Sequence, residues 1–143
     1  GSFRRKKSTV GDVDFVIVST RPKDVMDHFV SYKDVDDIIV KGPTRGSVRL
    51  QNGLQVDCRI VKTKEFGSAL LYFSGGKQHN IELRKIALRQ GYTLSEYGLY
   101  TLQEKKWVAG KTEKDIYTQL GLRYIPPRER LGMKEFVKYK NKK

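Results

Sequence analysis

Apolar positions in the first part of the chain recur every second residue in some stretches and every third or fourth in others. Residues 13–19, Val-Asp-Phe-Val-Ile-Val-Ser, read as a strand. Arg21-Pro22-Lys23-Asp24 then opens a helix, because proline is tolerated in a first turn, and Val25, Met26, Phe29 and Val30 fall on one face. Residues 34–40 end in a short strand that Gly42-Pro43 breaks. Two alternating runs follow, 47–51 and 54–61, joined by Asn52-Gly53, the strongest short signal for a hairpin. On the second arm Leu54, Val56, Cys58 and Ile60 share one face, while Asp57 and Arg59 share the other.

Beyond Phe66 the pattern changes. Gly67 to Phe73 is apolar and aromatic, and Ser74-Gly75-Gly76 interrupts it. Residues 77–90 read as a helix with Ile81, Ile86, Ala87 and Leu88 turned inward, closed by Gly91. Short strands are expected within 94–100 and at Trp107-Val108, with a charged turn between them. Thr112 is a good N-cap for a helix through Leu120, which Gly121 stops. Tyr124-Ile125-Pro126-Pro127 reads as an extended connector and Lys138-Tyr139-Lys140-Asn141-Lys142-Lys143 as a basic tail. The expected fold is α+β: a palm-like sheet over residues 1–65, then a smaller α+β subdomain over 66–143.

Charge adds a partner to this picture. Among 143 residues, 29 Lys and Arg against 16 Asp and Glu leave a net charge of +13, an excess suited to a polyanion such as nucleic acid. Cys58 is the only cysteine, so an internal disulfide and a Cys-based zinc site are excluded, and its strand pattern makes it a buried small hydrophobe. His28 and His79 lack partners at metal-ligand spacing and are read as non-catalytic. No apolar run approaches membrane-spanning length and no secretory signal is present, so no membrane partner is expected. The expected location is intracellular, in cytoplasm, nucleoid or nucleus.

Three carboxylates carry the candidate chemistry. Asp12 and Asp14 are one strand period apart and project from one face. Upstream, Gly1-Ser2 and the cationic run Arg4-Arg5-Lys6-Lys7 suit a phosphate. Asp57 points away from the core onto an open sheet face, where it can meet the first two. Paired carboxylates beside a phosphate loop are what two-metal phosphoryl or nucleotidyl transfer requires, because bridging oxygens hold the ions and substrate phosphates complete their shells. Hard oxygens without imidazole or thiolate favour magnesium over zinc.

With these residues in view, the chain resembles the DNA polymerase X family, and its wording is closest to bacterial and archaeal members. GSFRR…GDVD is similar to the family's phosphate loop and first metal motif, and QVDCRIV to the strand with the third carboxylate. GSALLYFSGGKQHNIELRKIAL resembles the nucleotide-binding segment; GYTLSEYGLY, VAGKTEKDIYTQLGL and YIPP continue the pattern. The resemblance implies a nucleotidyltransferase-type palm, a mixed or antiparallel sheet with helices on one side, followed by a small α+β thumb. It also implies a monomeric DNA-directed DNA polymerase that takes dNTPs and a DNA primer-template or gapped DNA, with two Mg²⁺ ions and Mn²⁺ as a substitute. Asp12 and Asp14 would bridge both metals, and Asp57 would hold the one at the primer 3′-hydroxyl. Gly1, Ser2, Arg5 and the Gly11 backbone would grip the triphosphate. Tyr72 and Phe73 would pack on the sugar, with Gly75-Gly76 as the family's cis peptide; Lys77 and Asn80 would contact the base. Arg84 would meet the template strand and Tyr97 the DNA near the active site. Gln55 departs from the arginine the family usually carries there, exchanging a charged fork for a neutral amide.

Two other functions share some of these residues. A template-independent nucleotidyltransferase would use the same carboxylates on another acceptor. A non-catalytic nucleic-acid-binding module would keep the charge and need no metal.

Overall fold

The computed structural model describes residues 11–132 and 134–140. Gly1, Ser2 and Arg5 of the expected phosphate loop lie outside them. The first half forms β1 (Asp12–Val18), α1 (Pro22–Val30), β2 (Val35–Lys41), β3 (Arg45–Leu50) and β4 (Gln55–Val61), with strand order β1-β4-β3-β2. β1 and β4 run parallel and the other neighbours antiparallel, so the sheet is mixed. Period-two alternation sends Val56, Cys58 and Ile60 into a core with Met26, Val30 and Val48, and Val25 and Phe29 pack against it. The α1 face expected from the sequence is the one observed. Burial pushes the Cys58 thiol up, as befits a packing residue.

The hairpin loop is longer than its Asn-Gly pair. Gly53 N–H donates to Leu50 (2.9 Å) and Leu50 N–H to Leu54 (2.8 Å), which makes a three-residue loop over 51–53. Gly53 takes φ 87°, which closes such a loop with a bulge.

A 3-10 turn (Thr63–Glu65) leads into α2 (Phe66–Ser74), α3 (Lys77–Arg89), the three-stranded sheet β5 (Tyr92–Ser95), β6 (Gly98–Thr101) and β7 (Trp107–Ala109), and α4 (Glu113–Gln119). Thr112 caps α4 by accepting from Asp115 N–H at 3.1 Å. Leu71, Leu83, Ala87, Leu99, Ile116, Tyr117 and Ile125 centre a second core. One expectation for α3 is overturned: Leu88 is 52% exposed, and the buried face is His79, Asn80, Leu83 and Ala87. One residue is 100° of helix, so a face centred on 83 and 87 leaves 88 outside, and the polar pair at 79 and 80 hid the true face.

The expected connector and basic tail are partly structured. Pro127–Glu129 forms a 3-10 turn, Glu135–Lys138 a short helix α5, and Leu122 bridges Lys140. What holds this end is a buried polar network. His79 Nδ1 lies 2.7 Å from Glu135 Oε2, its Nε2 lies 2.8 Å from the Tyr117 hydroxyl, and its ring stacks on Phe136. Gly132 N–H donates to Glu135, and Arg130 donates to Glu113 at 3.0 Å. Burial drives the His79 pKa below its usual value, outweighing the Glu135 contact that raises it.

Candidate active site

Parallel pairing of β1 with β4 sets Asp14 directly beside Asp57 and Asp12 beside Gln55. Both aspartates of the pair therefore point to the face opposite the Met26–Val48 core. Burial raises the Asp14 pKa, and the neighbouring Asp57 and Asp12 carboxylates raise it further. Ser47, paired with Asp57 across β3–β4, donates its hydroxyl to Asp57 Oδ1, and Gln55 Nε2 donates to the same oxygen at 3.2 Å. The neutral amide at position 55 thus orients a carboxylate. Among the described residues no three His, Cys, Asp or Glu side chains close on one metal-sized point. Asp14 and Asp57 form the pair, and Asp12 stands two residues up β1 on the exposed end. Hard oxygen donors on adjacent strands and like charges at close range fit a divalent cation, which would cancel the repulsion.

Beside the pair lies a cavity of about 180 Å³ lined by Asp14, Asp57, Arg45, Arg59 and Phe73. Phe73 also borders a second cavity of about 340 Å³, shared with Tyr72, Gly75, Lys77, Asn80 and Arg84. The α2–α3 junction explains this convergence. Gly75-Gly76 is a cis peptide there, and Asn80 in the first turn of α3 reaches back to the last turns of α2. Asn80 is pinned by donating to the Leu71 and Tyr72 carbonyls at 3.3 and 3.2 Å, while its buried Oδ1 has no hydrogen-bond partner among the described residues. Tyr72 meets Phe73 edge-to-face, and the Arg59 guanidinium lies 4.5 Å from the Phe73 ring centre.

Tyr97 is placed elsewhere. It lines a cleft of about 710 Å³ with Val18, Val61, Lys62 and Glu96, at the carboxyl ends of β1 and β4. Arg59, 4.0 Å from Glu96, stands between that cleft and the carboxylates. Gly11 is exposed just before β1, with open space around its Cα. Sequence reasoning missed Ser47, Arg45 and Glu96. The hairpin register puts Ser47 opposite Asp57 and Arg45 opposite Arg59 and could have found both; nothing in the pattern points to Glu96.

A mixed sheet with aspartates on adjacent parallel strands, joined to a helical cavity rich in polar side chains, places the molecule in the nucleotidyltransferase class. Residues 69–131 match the family model of the DNA polymerase beta thumb. The chain is 34% identical over 141 residues to the DNA polymerase/3'-5' exonuclease PolX of Bacillus subtilis, covering 97% of this chain and 25% of the relative. It is 34% identical to DNA polymerase lambda of Rattus norvegicus, covering 91% of this chain and 28% of the relative. Against the repair DNA polymerase X of African swine fever virus it is 27% identical, over 92% of this chain and 79% of that protein. The ternary gap complex of Leishmania infantum polymerase beta superposes with TM-score 0.77 at 25% identity, covering 92% of this chain and 60% of that one. The chain belongs to the DNA polymerase X family. It spans about a quarter of the length of the first two relatives.

Proposed function

We propose that this chain carries the nucleotidyl-transfer centre of a DNA-directed DNA polymerase, adding dNTPs to a primer 3′-hydroxyl in gap-filling repair. The observation that carries this reading is the Asp14–Asp57 pair set beside the cavity of Tyr72, Lys77, Asn80 and Arg84, with Phe73 common to both. The Bacillus and rat relatives are DNA polymerases, and a Leishmania neighbour was solved as a gap complex, which supports the choice of substrate.

In the proposed reaction the 3′-oxygen attacks the α-phosphorus, the bond to the bridging oxygen breaks, and pyrophosphate leaves. Two Mg²⁺ ions, or Mn²⁺ in their place, held by Asp12, Asp14 and Asp57 would supply activation of the hydroxyl and neutralisation of the phosphates. Ser47 and Gln55 donate to the Asp57 carboxylate and would fix its direction for the metal at the primer 3′-hydroxyl. Gly1, Ser2, Arg5 and Gly11 take the triphosphate. Tyr72, Phe73 and Gly75 border the sugar, Lys77 and Asn80 the base, and Arg84 the template strand. Asn80 borders the cavity with its amide nitrogen committed to the Leu71 and Tyr72 carbonyls, which fixes the side chain in place. Residues 1–65 serve as palm and 66–143 as thumb, in a monomer that works on intracellular DNA.

Primer extension with single dNTPs tests the proposal. Incorporation should follow the template base and require a divalent cation. Additions that ignore the template would move the reading to a template-independent transferase.

A further inference from the structure

The chain's single tryptophan is unusually placed. Trp107 opens β7, is 37% exposed, and pairs with Tyr100 across the small sheet. Its indole lies over the β5–β6 turn: a Cβ on Gly98 would come within 2.6 Å of Trp107 Nε1, and Gly98 takes φ 144°. Only glycine leaves room for that seat. Tyr97, the residue before Gly98, is 53% exposed. Lys64 Nζ stands 5.9 Å from the indole centre. The Lys111 backbone meets the same segment: Gly67 N–H donates to Lys111 O at 3.0 Å, and a Cβ on Gly110 would lie 3.2 Å from Lys64 O. Among the described residues no carboxylate forms an ion pair with Lys64 or Lys111.

We propose that Trp107, flanked by Tyr97, Lys64 and Lys111, is a stacking platform for an unpaired base of single-stranded DNA, remote from the carboxylates. The inference rests on the reading of the chain as a DNA polymerase and adds a second DNA-binding place to it. Three physical points support it. An aromatic face needs an unstacked partner, which a single strand offers and a duplex does not. Lysines at its rim supply the cations that follow a phosphate backbone. The corner adjoins Tyr97 at the carboxyl ends of β1 and β4, while Asp14 lies four residues earlier on β1, about 13 Å along a strand at ~3.3 Å per residue. A strand engaged at the carboxylates that runs along β1 reaches the cleft lined by Tyr97, beside Gly98 on which the Trp107 indole rests.

Because Trp107 is the chain's only tryptophan, its emission reports directly on the platform. The full chain is titrated with an oligodeoxythymidylate of about a dozen nucleotides, within the usual range of single-strand site sizes. Quenching of the emission is expected, with weaker binding and no quenching by an abasic strand of equal length and charge. Trp107→Ala should weaken the oligonucleotide roughly 5- to 150-fold and Trp107→Phe by less, since a smaller ring still stacks. Lys64→Gln, which spares the indole, should keep the quenching and reduce the slope of log affinity against log salt by about 0.7. Unchanged emission on saturation, or equal binding of the abasic strand, overturns the platform. So does full affinity in a folded Trp107→Ala chain. None of these readouts requires incorporation, so loss of the polymerase reading and loss of the platform are told apart.

Discussion

Ser47 and Gln55 both donate to Oδ1 of Asp57, and in the proposed reaction the direction they give that carboxylate would serve the cation it holds. Removing the hydroxyl in Ser47→Ala should lower incorporation roughly tenfold, about 1.4 kcal/mol of transition-state stabilisation, because Asp57 loses its fixed direction. Melting temperature should change little, and single-turnover kinetics beside thermal unfolding separates the two effects. Asp14 makes a complementary case. Its carboxyl is pushed up by burial and by two neighbouring carboxylates, so the ionised pair opposes folding while no cation is bound. Asp14→Asn should therefore raise the melting temperature of the metal-free chain and abolish any further rise on adding Mg²⁺. A melting point in Asp14→Asn below the parent's, measured in chelator, would contradict that account.

Buried polar residues decide how the α3 region is held, and they are also where pattern reading failed. The strands, α1, the hairpin and the Thr112 cap follow from apolar period, Asn-Gly and a hydroxyl, all local signals. The inward face of α3 was misjudged because His79 and Asn80 occupy it, and polar side chains enter a core only when tertiary partners hold them: Tyr117 and Glu135 for His79, the Leu71 and Tyr72 carbonyls for Asn80. α5 was missed for the same reason: Glu135, a residue that reads as surface, is its anchor. In the candidate site the aspartate positions were legible from alternation and Arg45 from the hairpin register, but Glu96 arrives from a distant segment. His79 gives a pH test. Its folded pKa is below the usual 6.5, so the unfolded chain takes up the proton first. The contribution of the neutral ring is fully present above about 6.5 and is lost as pH falls through the lowered folded value. Stability should thus decline on acidification below pH ~6.5, and His79→Gln, though less stable by about 2–3 kcal/mol from the broken network, should decline less steeply. Glu135, Glu113 and Arg130 face the same interior, so urea denaturation of both chains across pH 5–8 is the appropriate comparison. α2 offers a packing test: a Cβ on Gly67 would strike the Thr112 backbone at the start of α4. Gly67→Ala should cost about 1–3 kcal/mol and lower the melting temperature by several degrees.

Arg59 of the first sheet reaches Phe73 of α2 and Glu96 beside β5, and Phe73 is also where the carboxylate cavity borders the α2–α3 cavity. A net charge of +13 surrounds this acidic centre, so DNA affinity should be set mainly by phosphate contacts. Log affinity for duplex DNA should fall with log salt by about 0.9 per phosphate neutralised, with little dependence on sequence. Titrations at several salt concentrations on unrelated duplexes check this; a flat response would be inconsistent with it. The most direct test of the central claim is single-nucleotide incorporation into gapped DNA by this chain and by Asp57→Asn, each with and without Mg²⁺. The account predicts template-directed, Mg²⁺-dependent addition that Asp57→Asn reduces by about a thousandfold or more. Absence of incorporation at saturating Mg²⁺, addition that persists in chelator, or an Asp57→Asn rate within about tenfold of the parent's would contradict it.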